Sequence, residues 1–221
     1  MELEGFLCPT SLCDSQHAAV VAKADSLHRE AASTRHLAVL VFEFVRDSVR
    51  HEWVSSAQPA STTLQTRRGD CWPKSILQVA LLRASGIPSR FRWFEYRKSA
   101  FRELVPTFVY QRLADPFPFH SVAEIYLEGR WLLADATFDR QLSPERAQDW
   151  NGDGHRLVFE PYEITRDLGY TASFEQRLPE IEDFFAPGAE DSGIPEDVET
   201  DIVNMNFELI RLRNRLNAAV E

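Results

Sequence analysis

The stretch RRGDCWPKSILQVALLRASGIP, residues 67–88, decides the reading of this chain. Arg67, Arg68, Gly69 and Asp70 end a loop, and from Cys71 to Ser85 the pattern is helical, with Ile76, Val79, Ala80, Leu81 and Leu82 turned inward. Gly86-Ile87-Pro88 is the stop signal. Cys71 thus opens a helix, where the macrodipole and free N–H groups favour a thiolate and can hold an oxyanion. Gly69 allows close approach of backbone and substrate. A cysteine in mid-helix is ordinarily inert packing, whereas a thiolate at a helix start is a competent nucleophile.

Upstream, residues 15 to about 53 read as helical. Leu37, Leu40, Val41, Phe44 and Val45 form an apolar stripe for a helix capped near Ser33 or Thr34. The Ser-, Thr-, Gln- and Pro-bearing segment from Ser55 to Gly69 reads as a loop. Downstream, Arg90 to Tyr96 reads as a strand of imperfect alternation. His120 to Leu127 and Arg130 to Asp135 form a clearer strand pair with Glu128-Gly129 as the turn. Beyond Phe138 the signals weaken: Asp149 to Gly154 is turn-rich, Gly188 to Pro195 reads as a linker and Ile194 to Ala219 as a closing helix. The acidic segment Glu190 to Asp201 reads as solvated. One α+β domain spanning 1–221 is expected, with helices first and strands later.

The bulk properties exclude several classes. The chain has 221 residues, 44% of them hydrophobic and 11% aromatic, enough for a substantial core. A formal charge of −10 argues against nucleic-acid binding. No membrane span or signal peptide is read, so a cytoplasmic location is expected. Three cysteines imply no disulfide framework. Cys8 and Cys13 are expected to be reduced thiols, since His17 is the one obvious further ligand for a metal there. No cofactor is expected.

His120 and Asp135 fall on consecutive strands, fifteen positions apart. With a two-residue turn between the strands, this odd separation puts both side chains on one face. An aspartate beside an imidazole fixes its tautomer and stabilises the imidazolium, the supporting role in a Cys-His-Asp relay. Taken singly, each would be an ordinary surface histidine or strand-end aspartate.

At these residues the sequence resembles the transglutaminase-like superfamily, whose core is a rearranged relative of papain. Gly69-Asp70-Cys71 leads into Leu82-Arg83-Ala84-Ser85-Gly86-Ile87-Pro88-Ser89-Arg90, matching the family's first motif. His120, Glu124, Gly129-Arg130-Trp131 and Asp135-Ala136-Thr137 match the second in order and spacing. The resemblance covers about 33–138, with weaker similarity outside it to small stand-alone bacterial members. It implies a papain-like core, the nucleophile helix packed on an antiparallel sheet, and a catalytic triad of Cys71, His120 and Asp135. Val122 departs from the family's frequent aromatic, and Trp72 directly after the nucleophile would narrow the site. The family's further oxyanion donor has no motif here. Gln65 and Trp53 are candidates, and either can equally be a loop or core residue.

Glu124 shares a face with His120 and either touches the site or pairs with a neighbouring arginine. Phe117, Phe119, Trp131 and Phe138 read as core or cleft wall. Asp149, Asn151, Asp153 and Glu160 fit a calcium-loop template, but Arg156 and Pro161 oppose it, and a tight turn is the better reading. Zinc held by Cys71, His120 and Asp135 lacks the usual ligand spacing.

Three functions compete: a thiol hydrolase of amides or esters, a transglutaminase resolving the same acyl-enzyme with an amine, and a non-catalytic binding module. The intact triad speaks against the last. Peptide, protein or small amide substrates are the expected partners, with neither nucleic acid nor membrane.

Overall fold

A computed structural model describes residues 3–186 and 198–218. Helices α1 (Ala18–Glu30), α2 (Thr34–Ser48), α3 (Ala60–Thr66) and α4 (Cys71–Ala84) precede strands β1 (Ser89–Tyr96), β2 (Phe117–Leu127) and β3 (Arg130–Ala134), with α5 (Thr107–Arg112) between β1 and β2. Strand β4 (Ile164–Thr171), α6 (Leu178–Phe184) and α7 (Val198–Ala218) follow. The sheet is antiparallel throughout, in the order β3-β2-β1-β4. The expected α+β class, with the helix opened by Cys71 against an antiparallel sheet, is what the chain adopts.

Local chemistry explains the elements. Ser33 caps α2 by accepting the His36 N–H, and Leu37, Val41, Phe44 and Val45 form its buried stripe. Helix α4 is buried on nearly every side from Pro73 to Arg83, because α1, α2 and α3 pack on it while β2 supports it from below. It ends where Gly86 (φ 74°) lets the chain turn and Ile87 N–H bonds back to Leu82 C=O at 2.9 Å. The β2–β3 hairpin closes through Glu128 and Gly129, both at positive φ, with Leu127 paired to Arg130.

Both faces of the sheet are covered, which explains the broken alternation of β1. Phe91 and Trp93 join Ala123 and Ile125 in the core beneath the helices. Phe94 and Tyr96 join Val122, Phe138, Phe159 and Leu209 in a second core on the opposite face.

Two elements depart from the sequence reading. Helix α3 lies within the stretch expected to be a loop. Tertiary contacts hold it, with Ala60, Thr63 and Leu64 buried and Ala60 N–H bonded to Leu12 C=O. Strand β4 has no counterpart in the sequence reading; it is an edge strand, largely exposed and irregular in register against β1, so it lacks period-two patterning. The expected closing helix is present as α7 within the described residues. The linker at Gly188–Pro195 and most of the acidic segment 190–201 lie outside them. Among the described residues no helix is long and apolar enough to cross a membrane.

Candidate active site

Asp70 and the start of α4 fix the cysteine. The buried Asp70 carboxylate accepts the N–H of Trp72 (3.1 Å) through one oxygen and of Val54 (3.2 Å) through the other, so one side chain caps the helix and ties down the preceding loop. Gly69 packs against Pro73: a Cβ at position 69 would come within 2.6 Å of the proline Cβ. On the sheet side, the Trp72 indole N–H donates to Phe119 C=O at 2.8 Å, and Ser75 and Ser121 share a hydroxyl hydrogen bond of 2.8 Å. These contacts seat the half-buried Cys71 thiol against β2, where the Ser121 backbone N–H reaches it.

His120 and Asp135 share a face, as hairpin parity requires. His120 Nε2 lies 2.8 Å from Asp135 Oδ2, with both side chains buried. Asp135 also accepts the N–H groups of Thr137 (3.1 Å) and Val158 (3.3 Å). The imidazole is wedged edge-on between Tyr96 and Phe159, at ring centroid separations of 5.2 and 5.0 Å. Its other nitrogen, Nδ1, is buried without a hydrogen-bond partner. A left-handed residue, Phe119 (φ 68°), immediately precedes it where the β1–β2 register shifts.

The electrostatics oppose the simplest helix-dipole expectation. Burial and the neighbouring Asp70 and Asp135 carboxylates push the Cys71 thiol well above its ordinary value, while the Ser121 N–H works the other way. A thiol in this position stays protonated until a base removes the proton. Burial also pushes the Asp70 carboxyl up to about 6. Asp135 goes the opposite way: burial alone would raise it, but His120 and the Thr137 hydrogen bonds outweigh burial and hold it below the usual carboxylate range.

Behind this group lies a second buried polar cluster that no motif reveals. Asp139 accepts from His51 N–H at 2.8 Å, Arg213 Nη2 at 2.7 Å and Leu142 N–H at 3.0 Å. Lys74 Nζ donates to the carbonyls of Val49 (2.7 Å) and Arg46 (3.2 Å), and burial lowers it to about 7. The His51 ring contacts Thr137 C=O through Nδ1 at 3.2 Å, which fixes the N–H there. Burial, with Lys74 nearby, lowers it to about 3, so the ring is neutral. His51 Nε2 and Trp53 Nε1 are both buried and without hydrogen-bond partners.

Cys71, His120, His51 and Trp53 line one cavity of about 390 Å³. Trp72 lines it too, as expected of the residue after Cys71, as do Phe117, Phe119 and Phe138. Two expected site residues lie elsewhere. Gln65 is exposed on α3 and is not part of the cavity wall, because that short helix turns its apolar residues toward α4 and Gln65 outward. Glu124 shares the His120 face but lies two alternations further along the strand, paired with Arg90 at 2.5 Å. The Arg90 guanidinium is in turn stacked on Tyr170 (3.6 Å) and Trp131 (3.9 Å), so the pair braces the sheet away from the cavity.

The calcium-loop alternative is not assembled. Asp149 is held by Arg46 (3.0 Å) and Arg140, and Asp153 by Arg130 (2.5 Å). Asn151 accepts the Asp153 N–H, forming the expected tight turn, and Glu160 joins no ligand cluster. Among the described residues no three His, Cys, Asp or Glu side chains gather where a metal ion could bind. Cys8 and Cys13 are free, and His17 caps α1.

Residues 21–136, just over half the chain, match the transglutaminase-like superfamily, and the chain belongs to that superfamily. Among solved structures, a provisionally assigned cysteine protease from Cytophaga hutchinsonii shares the fold at a TM-score of 0.53 and 21% identity over 78% of this chain. This chain spans 47% of that protein's length. The periplasmic domain of TgpA from Pseudomonas aeruginosa, solved bound to ethylmercury, aligns at a TM-score of 0.39 and 23% identity, over 58% of this chain and 46% of that one. Comparison with curated proteins gives no match.

Proposed function

We propose that the protein is a thiol acyl-transfer enzyme acting on an amide or ester, with Cys71 as nucleophile, His120 as base and Asp135 as the group that orients His120. One observation carries the reading: Asp135 engages His120 through Nε2, leaving the buried Nδ1 without a partner in the wall that also holds Cys71. A thiol held above its ordinary value needs a base to remove its proton, and His120 is the candidate base in the same cavity wall.

In the reaction, Cys71 sulfur bonds to the substrate carbonyl carbon as its proton passes to His120. The carbonyl oxygen takes up the negative charge, and the unpartnered Trp53 indole N–H is the candidate donor for it. His120 then gives its proton to the leaving nitrogen or oxygen as that bond breaks, which leaves a thioester on Cys71. Water attacks the thioester carbon, gives a proton to His120 and releases a carboxylic acid. The sulfur leaves and recovers its proton from His120.

Hydrolysis is the favoured outcome. The test is incubation with a glutamine-containing peptide and a labelled primary amine, alongside Cys71→Ala and His120→Ala. Release of acid that depends on both residues supports the reading. Amine incorporation without hydrolysis overturns the preference for water. Acid release that survives Cys71→Ala overturns the assignment of the nucleophile, and a wild-type chain that turns over neither amides nor esters overturns the enzymatic reading itself.

A further inference from the structure

The cavity beside Cys71 is far larger and more apolar than attack on a small polar amide requires. A cavity of about 150 Å³ suffices for a benzene molecule. The space here is about 390 Å³, room for an apolar group on the order of ten carbons. The short stem of a glutamine carboxamide would leave most of it empty.

A chain of ring contacts runs along the wall from Trp72, the residue after Cys71, to His120. Trp72 contacts Phe185 (5.8 Å between centroids), Phe185 contacts Phe117 (6.4 Å), Phe117 contacts Phe101 (5.3 Å), Phe101 contacts Tyr96 (5.2 Å), and Tyr96 contacts His120 (5.2 Å). The polar groups in the same wall are few: Asp70 and His120 near the thiol, His51 and Thr137 behind them, and Ser55, Ser56 and Glu182. An apolar wall with a few polar groups around a reactive atom is the build of a pocket that selects by hydrophobic burial.

Part of the wall comes from outside the part of the chain that matches the superfamily. Leu178, Ile181 and Phe185 supply it from α6 and the residue after it, and Ile202 and Met205 from α7. These helices are therefore part of the binding site as well as of the fold.

We infer that this cavity is an acyl-binding pocket and that the substrates are amides or esters whose acyl side carries an apolar group, aliphatic or aromatic, of on the order of ten carbons. The inference rests on the acyl-enzyme reading and assigns its substrate class. Such a group could come from a fatty acyl chain or from an apolar peptide side chain, and the two sources are separable.

The experiment uses the full chain in two forms. Straight-chain amides from butanamide to decanamide are titrated into Cys71→Ala by calorimetry, which asks about the cavity without turnover. Affinity is expected to rise about fourfold per added methylene until the cavity is full. The wild-type chain is then given p-nitroanilides with the same acyl lengths, and a parallel set of acetylated dipeptide anilides ending in Ala, Leu or Phe. A length series in kcat/KM marks a fatty acyl source, and a rise from Ala to Phe marks a peptide source. Met205→Trp, which fills the cavity, is expected to move the preference to shorter groups. Affinity and kcat/KM that are both flat with size overturn the inference. Size-dependent binding without Cys71-dependent turnover keeps the pocket and overturns the acyl-enzyme reading instead.

Discussion

Replacing Arg213 by methionine tests whether the C-terminal helix belongs to the same cooperative unit as the site. Arg213, on α7, donates from Nη2 to Asp139 Oδ2 at 2.7 Å and to the His51 carbonyl at 2.9 Å, and the pair is almost entirely shielded from water. Asn206 adds a second anchor from α7: its side chain accepts the Trp53 N–H and donates to the Trp53 carbonyl, at 2.8 and 3.0 Å. Removing one member of a buried ion pair costs about 3–5 kcal/mol. Asp139 would keep the N–H groups of His51 and Leu142, with Lys74 nearby, so the lower end applies, about 3 kcal/mol. In a chain of 221 residues that corresponds to a fall in Tm of about 6–12 °C.

The acid side gives a further signature. Burial alone would raise Asp139, but the His51 N–H and Arg213 outweigh it and hold the carboxyl below its usual range. Its stabilising contribution is therefore complete above the ordinary carboxylate range and is lost as pH falls through the depressed value. In Arg213→Met this acid loss shrinks. Urea melts of the wild type and variant between pH 3 and about 7 measure both effects. A cost below about 1 kcal/mol refutes the reasoning. So does hydrogen exchange that shows α7 opening alone while the His51–Trp53 segment stays protected.

Two further outcomes are expected. Asp70→Asn keeps a helix cap but removes a negative charge beside Cys71 and one of the two acceptor oxygens. The iodoacetamide rate profile of Cys71 should move to lower pH, at a stability cost of about 1 kcal/mol; an unmoved profile contradicts the electrostatic account. Burial lowers Lys74 to about 7, so between pH 7 and about 9 the unfolded chain binds more protons and stability should rise with pH, by at most about 1.4 kcal/mol per unit. Melts of Lys74→Met that keep the same rise would show that another group is responsible.

Much of the fold could be read from local pattern. The stripe of α2, the apolar run and Gly-Pro stop of α4, and the two-residue turn of the hairpin are short-range signals, and each element appeared where those signals lay. Hairpin parity likewise put His120 and Asp135 on one face, because a strand's side chains alternate with a fixed period. Helix α3 and edge strand β4 carry weak local preference and exist through contacts made elsewhere, so no window of sequence revealed them.

The residue types and their order determined the superfamily and the proposed nucleophile, base and orienting group. Tertiary structure alone decided that Glu124 braces Arg90, that Gln65 faces outward and that Asp149 and Asp153 of the calcium template are taken by arginines. It also decided the environment of Cys71. A helix start by itself favours a thiolate, but desolvation and two nearby carboxylates reverse that preference, and these depend on which segments fold over the sulfur. The walls of the cavity follow the same rule: α6 and α7 lie far along the chain from Cys71, and only packing brings them to it.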